Sequence, residues 1–226
     1  MNFLPVDVAN DPGGMDKLKA LGLRSVPVVA RGKEWVDGQN LEVVAKFVGL
    51  DGTGHVPLPP DELQRRLLGV MAVAQSCVRR IPADKLTTDA THNRKRDLRL
   101  LSHHLFRIVD AFLLAADKGE FFSRGLAQIE LAEGSFMSGA AIADYGSEVT
   151  ARFADWSARA PHEYARELDT YFGKFSMHRL LERSAWHSAQ HTRQLVSVLE
   201  GFGVPLEKRL APELLAGLPM PERLWE

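Results

Sequence analysis

The spacing of apolar residues changes character near residue 60 of the chain. Beyond that point, apolar side chains recur every three or four positions, which is the period of a helix with one buried face. Four runs have this spacing: 61–80, 92–117, 144–158 and 175–200. The apolar face of the second run carries Leu98, Leu101, Leu105, Ile108 and Phe112. Four amphipathic helices of this length predict a mainly α fold built on a four-helix bundle.

The segment 119–141 is long for a connection between two bundle helices. It carries several large apolar side chains, namely Phe121, Phe122, Leu126 and Ile129. It therefore predicts an extra short helix or a crossover rather than a bare loop.

Residues 1–50 show a mixed pattern of short segments. Strands are predicted at 3–8, 26–30 and 34–36, and helices at 14–21 and 41–48. The predicted unit has the order β-α-β-β-α. A stretch rich in glycine and proline, 51–60, predicts a linker. We therefore expect a small α/β region over 1–50, a linker over 51–60, and the bundle with a C-terminal tail over 61–226.

Charge and cysteine content narrow the class of protein. The 226 residues include 28 basic and 29 acidic side chains, a formal net charge of -1, which favours neither nucleic acid nor an anionic membrane as a partner. Cys77 is the single cysteine, so an internal disulfide and a CxxC redox pair are excluded. The sequence has no secretion signal and no run of 18 apolar residues. We expect a cytoplasmic protein that does not span a membrane.

Three histidines in two predicted helices are candidate metal ligands. His187 and His191 are four residues apart in the last predicted helix, so they share one face. In the second helix, the helical period places His104 at the edge of the apolar stripe and His103 roughly opposite. Three protein ligands leave one coordination position open, as in catalytic rather than structural sites. The sequence predicts a divalent metal site at His104, His187 and His191.

The alternative is that these histidines are satisfied by hydrogen bonds within a packed core. Ser184 and Ser188 lie on the same helical line, where a core built only for packing would carry larger apolar side chains. No HExxH motif is present, which disfavours metalloprotease chemistry. Zinc or nickel is the expected metal, with manganese or iron also compatible with nitrogen ligands. Tyr145 is a further candidate for lining the site, and its alternative role is packing between helices.

Two short motifs surround the candidate ligands. Residues 100–106 are LLSHHLF, residues 186–195 are WHSAQHTRQL, and a Gly-x-Gly-x-Pro turn follows at 201–205. With these motifs, residues 61–205 resemble the DinB/YfiT-like family of metal-binding four-helix bundles. By position, the metal triad of that family falls on His104, His187 and His191.

The resemblance also implies a function. Members of the family include thiol-dependent enzymes, such as mycothiol-dependent maleylpyruvate isomerase and bacillithiol transferases. The resemblance implies a divalent metal that activates a low-molecular-weight thiol, with that thiol and a small electrophile as partners.

Residues 1–50 resemble the C-terminal part of a glutaredoxin. The resemblance implies that they form a small fragment of a thioredoxin-like fold. Residues 25–27, SVP, resemble the cis-proline loop, and residues 36–40, VDGQN, resemble the glycine turn before the last helix. This resemblance implies thiol contacts at Val26, Pro27, Gly38 and Gln39. The glutaredoxin cysteine motif is missing, so the segment is either a surface for thiol recognition or docking, or a structural appendage.

Three functions remain open at this point. The first is transfer of a metal-activated thiol to a small electrophile, or isomerisation of that electrophile. The second is hydrolysis by metal-bound water, although no acidic residue between His187 and His191 supplies a base. The third is a non-catalytic metal-binding or interaction module. Self-association as a homodimer is expected from the architecture alone.

Overall fold

A computed structural model describes residues 3–8, 10–50, 55–91, 94–159 and 161–224. The chain divides into two compact units, Met1–His55 and Val56–Glu226. Of the predicted linker 51–60, residues 51–54 lie outside the described residues, and Pro60 already belongs to the first bundle helix. A proline fits at that helical position because it has no N–H to leave unsatisfied.

The first unit is built from short elements. They are α1 (Gly14–Ala20), β1 (Val28–Arg31), β2 (Glu34–Asp37) and α2 (Leu41–Phe47). The two strands pair antiparallel, with Val29 opposite Val36. Asn40 caps α2, since its side-chain oxygen accepts a 3.2 Å hydrogen bond from the Val43 N–H. These four elements lie where the sequence predicts them, to within two residues at each end.

The predicted strand at 3–8 is wrong. Phe3 and Leu4 are 82% and 79% exposed, so the apolar residues that suggested a strand have no surface to cover. Asp7 instead forms a turn, in which its backbone carbonyl accepts from the Asp11 N–H at 2.8 Å. Among the described residues no strand pairs with this segment, and a strand without a partner leaves its backbone groups to water.

The second unit is a bundle of four long helices, which confirms the mainly helical prediction. Its elements in chain order are α3 (Pro60–Arg79), β3 (Asp89–Thr91), β4 (Arg94–Asp97), α4 (Leu98–Lys118), α5 (Arg124–Ala127), α6 (Gly139–Ala158), β5 (Glu167–Thr170), β6 (Gly173–Ser176), α7 (Met177–Gly201) and α8 (Pro212–Leu215). The short helix α5 lies within the segment where an extra helix was predicted.

Two helix starts differ from the prediction. Helix α4 begins at Leu98 rather than at 92, because the residues just before it pair as β4 with β3 and Asp97 caps the helix. Helix α6 begins at Gly139, five residues before the predicted start at 144, with Ser138 as its cap. In both cases a side-chain oxygen accepts a hydrogen bond from a free N–H of the first turn.

In the bundle α3 lies diagonally across from α4, and α6 lies diagonally across from α7. α3 packs against α6 and α7, and α4 packs against the same two helices. An ion pair between Asp117 and Arg159 joins the ends of α4 and α6, which therefore run parallel. His178 at the start of α7 hydrogen-bonds to the Leu58 carbonyl just before α3, so α3 and α7 also run parallel. The connection from α3 to α4 and the connection from α6 to α7 each contain a β-hairpin, which the sequence analysis did not predict.

Large apolar side chains from all four helices fill the bundle. Fully buried examples, one each from α3, α4, α6 and α7, are Met71, Phe112, Phe153 and Leu181. The ring of Phe112 meets that of Trp156 edge to face at 5.1 Å between centroids. Such a core fixes where α4 and α7 lie against each other. No helix among the described residues is both long and apolar enough to cross a membrane.

Gly146 marks a close approach of α6 to α4, and it yields a first prediction. A methyl group added at Gly146 would lie 2.5 to 2.7 Å from ring atoms of Phe106, which is fully buried. Because the packed ring has little room to move, we expect Gly146→Ala to lower the free energy of unfolding by about 2 kcal/mol. Urea unfolding measures this change.

Gly201→Ala provides the control for this substitution. Gly201 ends α7 and has no neighbour within 4 Å of an added methyl group. Its effect should stay within about 1 kcal/mol, the difference in helix propensity between the two residues. Equal urea midpoints for Gly146→Ala and the wild type would contradict the close contact.

Candidate metal centre

Two well-formed helices position three histidines between them. His187 and His191 lie one turn apart on α7, and His104 lies in the second turn of α4. Both helices have a capped N-terminus, with Asp97 accepting from Leu100 N–H at 2.7 Å in α4. The histidines therefore lie on regular helix backbone, which holds side chains more rigidly than a loop does.

The ring nitrogens of these histidines converge on one point. The Nε2 atom of His187 lies 3.2 Å from Nε2 of His104 and 3.0 Å from Nε2 of His191. One ligand atom from each of the three lies within 4.8 Å of the others. Tetrahedral zinc with Zn–N bonds of about 2.0–2.1 Å holds its nitrogens about 3.3 Å apart. The three residues, named here the histidine triad, therefore have the spacing of a single metal site.

The triad lies in a region that excludes most water. His104 is buried at 7% exposure, while His187 and His191 are partly buried. Ser188, between the two α7 ligands, is fully buried and donates a 2.9 Å hydrogen bond to the Leu105 carbonyl. This bond joins α7 to α4 beside the triad. The small residue predicted to leave room thus also ties the two helices together.

Two of the three histidines have a hydrogen-bond partner on the side away from the triad. His191 Nδ1 lies 2.7 Å from Oε1 of Gln194, and His104 hydrogen-bonds to the backbone of Ala127, at the end of α5. Partners of this kind hold a metal-binding imidazole in the correct tautomer and orientation. The predicted extra helix in the crossover therefore contributes to the site.

His187 differs from the other two. Its Nδ1 atom is buried and has no hydrogen-bond partner among the described residues. A neutral imidazole that uses Nε2 for a metal carries its proton on Nδ1. In the metal-binding tautomer this nitrogen is therefore a buried donor without a partner among the described residues.

Burial and nearby positive charge keep His104 and His187 neutral. Burial holds the pKa of His104 well below its ordinary value, and the charge of Arg96 adds to this effect. For His187, burial again lowers the pKa most, followed by His191 and Arg183. Neutral imidazole is the form that binds metal.

Arg183 extends the line of the α7 ligands by one more turn. It is 6% exposed, and its guanidinium carbon lies 4.9 Å from the ring centre of Phe172 and 6.0 Å from that of Trp186. Stacking on two aromatic rings holds this cation in place one turn before His187. The cluster of potential ligands contains no carboxylate among the described residues. The surroundings of the triad are thus positive.

His103 lies on a different face of α4 from His104 and packs against Tyr145 of α6. The two rings stack at 4.9 Å, and His103 also contacts Phe136 at 4.7 Å. The Tyr145 hydroxyl donates a 3.0 Å hydrogen bond to Asp110. His104 joins the triad, but His103, predicted to lie opposite the apolar stripe, is 5% exposed because α6 covers that side of α4 as well. Tyr145, predicted to line the site, is placed by its contacts between α4 and α6, whereas the triad lies between α4 and α7.

These contacts belong to a buried charged cluster, named here the Asp110 network. Besides Tyr145, Asp110 pairs with Arg107 and with Arg152, the latter at 2.7 Å. Burial raises the pKa of Tyr145 above its ordinary value, and the Asp110 charge raises it further. Burial, with the charge of Arg107, lowers the pKa of His103 to about 4. At neutral pH the network therefore contains neutral His103 and Tyr145 around one carboxylate.

Cys77 lies in the core of the bundle, as predicted. It is 1% exposed, and burial raises the pKa of its thiol to about 11. A thiol with such a pKa is a poor nucleophile at neutral pH.

The first unit places its candidate thiol contacts side by side. The Val26–Pro27 peptide bond is cis, and the Gly38 N–H donates a 2.9 Å hydrogen bond to the Pro27 carbonyl. A side chain at Gly38 would lie 3.0 to 3.2 Å from Pro27, so a larger residue would have to push Pro27 away. The next residue, Gln39, donates a 2.8 Å hydrogen bond from its backbone N–H to the Asp37 carboxylate. Val26 and Pro27 are exposed, which leaves them free for contact with a ligand.

Sequence reasoning missed residues that support the triad and also the carboxylate of the separate Asp110 network. Gln194 could have been found, since it lies three residues after His191 and so on the same helix face. Asp110 also had a signal, as a charge inside the apolar run of α4. Ala127 had none, because it acts through its backbone from a distant part of the chain.

A comparison with known protein families and with curated proteins found no family model and no curated protein that matches this chain.

Proposed function

We propose that the histidine triad binds one divalent metal ion, and that the protein uses this ion to activate a low-molecular-weight thiol. The thiol would be transferred to a small electrophile, or would add to it reversibly and so isomerise it. The observation that carries the proposal is the convergence of three Nε2 atoms, at 3.0 and 3.2 Å, from two helices. With three nitrogens as ligands, a tetrahedral ion keeps one position for a small molecule. Zinc and nickel are the metals we expect, since both accept imidazole ligands.

A coordinated divalent ion lowers the pKa of a thiol, so that the thiolate becomes the main form near neutral pH. The positive surroundings of the triad also favour the thiolate over the neutral thiol. Arg183 and Arg96 both contribute positive charge at the histidines, and the ligand cluster lacks a carboxylate among the described residues. An anionic sulfur ligand is better stabilised there than a neutral water molecule.

The residues around the triad would position the imidazoles and limit the access of water. Gln194 and the Ala127 backbone orient two of the imidazoles, and Ser188 fixes the spacing of the two helices that carry the triad. The thiol would release its proton to water, and the lone pair of the thiolate sulfur would form a bond to the electrophilic carbon. In transfer a leaving group departs from that carbon, and in isomerisation the sulfur departs again. Holding the two reactants together is the main contribution expected of the protein.

The test uses the full chain loaded with cobalt(II), which reports its ligands by absorbance. Addition of cysteine, glutathione, bacillithiol or mycothiol should produce a sulfur-to-metal charge-transfer band for at least one thiol. The zinc-loaded protein should then accelerate conjugation of that thiol with a chromogenic electrophile such as chlorodinitrobenzene. The His187→Ala/His191→Ala variant should show neither effect.

Two outcomes would overturn parts of the proposal. If no metal binds at micromolar concentration, the triad is a hydrogen-bonded core cluster and the whole proposal fails. If metal binds but none of the four thiols gives a band or a faster conjugation, the triad serves a non-catalytic metal-binding module.

A further inference from the structure

The segment 221–224 lies against α7 next to the triad. Three side chains of α7 donate to backbone carbonyls of this segment: Gln190 Nε2 to Leu224 at 2.7 Å, Gln194 Nε2 to Leu224 at 2.9 Å, and Arg193 Nη1 to Pro221 at 3.1 Å. All three donors lie within three residues of His191. The segment is therefore anchored to the turn of α7 that carries a proposed ligand.

Gln194 connects this segment to His191. Its Nε2 donates to the Leu224 carbonyl, and its Oε1 lies 2.7 Å from Nδ1 of His191. A side-chain amide has one donor end and one acceptor end. Because the Leu224 carbonyl can only accept, it holds the donor end of Gln194, and the acceptor end must face His191.

The orientation of Gln194 decides which nitrogen of His191 carries the proton. An oxygen facing Nδ1 requires a proton on Nδ1, and this leaves a lone pair on Nε2. Nε2 is the atom that lies 3.0 Å from Nε2 of His187. If the amide turned over, its NH₂ group would favour the other tautomer, and the proton on Nε2 would block a metal.

We infer that segment 221–224, acting through Gln194, selects the metal-binding tautomer of His191, an inference that rests on the proposed metal site. Gln194 is a positioning residue, since it contacts a ligand and not the metal. Partners of this kind change metal affinity by about 10- to 100-fold. The segment thus controls metal affinity without contributing a ligand.

The test uses full-length variants that separate the segment from Gln194. Gln190→Leu/Arg193→Leu removes two of the three anchors of the segment and keeps Gln194. Gln194→Leu removes the acceptor and keeps both of those anchors. Gln194→Glu puts a carboxylate in place of the amide, and a carboxylate only accepts, so it holds the proton on Nδ1 whether or not the segment is in place. Gln194→Glu is made alone and in the Gln190→Leu/Arg193→Leu background.

The first readout is the tautomer of His191 in metal-free protein, from proton–nitrogen correlation spectra of the imidazole rings. The wild type and both proteins with Gln194→Glu should show the proton on Nδ1. Gln194→Leu and Gln190→Leu/Arg193→Leu should shift the population toward the proton on Nε2. The second readout is zinc affinity, which should fall about 10-fold in those two variants and recover when Gln194→Glu is added to the anchor variant.

Gln64→Leu is the matched control. Gln64 donates to the Tyr164 hydroxyl at 2.5 Å, away from the triad, and its loss should leave both readouts unchanged. Circular dichroism verifies that each variant is folded. The inference is overturned if Gln194→Leu keeps the wild-type tautomer, or if Gln194→Glu fails to restore zinc affinity in the anchor variant. Because the tautomer is read without metal, absence of zinc binding in every protein would overturn the proposed function and leave the tautomer result standing.

Discussion

His104→Ala should lower the affinity of the protein for zinc by more than about 100-fold. The substitution removes the one ligand that α4 contributes, and two nitrogens from α7 alone leave the ion mostly to water. Loss of a partner that only supports a ligand already costs about 10- to 100-fold, so loss of the ligand itself should cost more. Competition against a chromogenic chelator measures the affinity, and elemental analysis measures how much metal the purified protein retains.

His103→Ala provides a matched control, because the two histidines are adjacent and both are buried. His103 points to Tyr145 and Phe136 rather than to α7, so its loss should change zinc affinity by less than about threefold. If both substitutions reduce zinc affinity equally, the effect comes from disturbance of α4 and not from a lost ligand.

The four long helices of the bundle, and the meeting of His104 with His187 and His191, could be predicted because both follow from the helical period. Apolar spacing identifies the main buried stripe of a helix, and His104 at the edge of that stripe meets α7. His103, predicted opposite the stripe, is buried against α6 instead, which the spacing did not show. The period carries no information on elements held by distant partners. The Ala127 backbone contact belongs to that class. The two hairpins of the bundle are held by neighbouring strands, and the helical period does not report that pairing either. The resemblance to the DinB/YfiT-like family stays a prediction.

The wrong strand at 3–8 has the same cause. Local residue preference at Phe3 and Leu4 favours a strand, but a strand forms only where a neighbour supplies hydrogen bonds and a surface to cover. The start of α4 shows the reverse case. Polar residues before Leu98 fit a helix locally, yet they pair as β4 with β3. In both segments the presence or absence of a pairing strand, and not local preference, decides the structure.

Asp110→Ala should lower the free energy of unfolding by about 3 to 5 kcal/mol, the range found when one partner of a buried ion pair is removed. Asp110 is 5% exposed, and its carboxylate pairs with Arg107 and Arg152 and accepts from the Tyr145 hydroxyl. The Arg107 side chain is itself only 14% exposed. Without the carboxylate, its charge would stay buried with no anion beside it. Urea unfolding at pH 7 measures the loss.

Asp117→Ala is the control on the same helix. Asp117 pairs with Arg159 at 3.1 Å, but both side chains are well exposed, so its loss should cost less than about 1 kcal/mol. Asp110→Asn should fall between the two, because the amide oxygen can still accept from Tyr145 while the charge is gone. An equal cost for Asp110→Ala and Asp117→Ala would mean that water reaches the Asp110 network. The network joins α4 to α6, whereas the triad lies between α4 and α7. A folded Asp110→Asn variant should therefore also test whether this contact is needed to keep His104 within reach of His187.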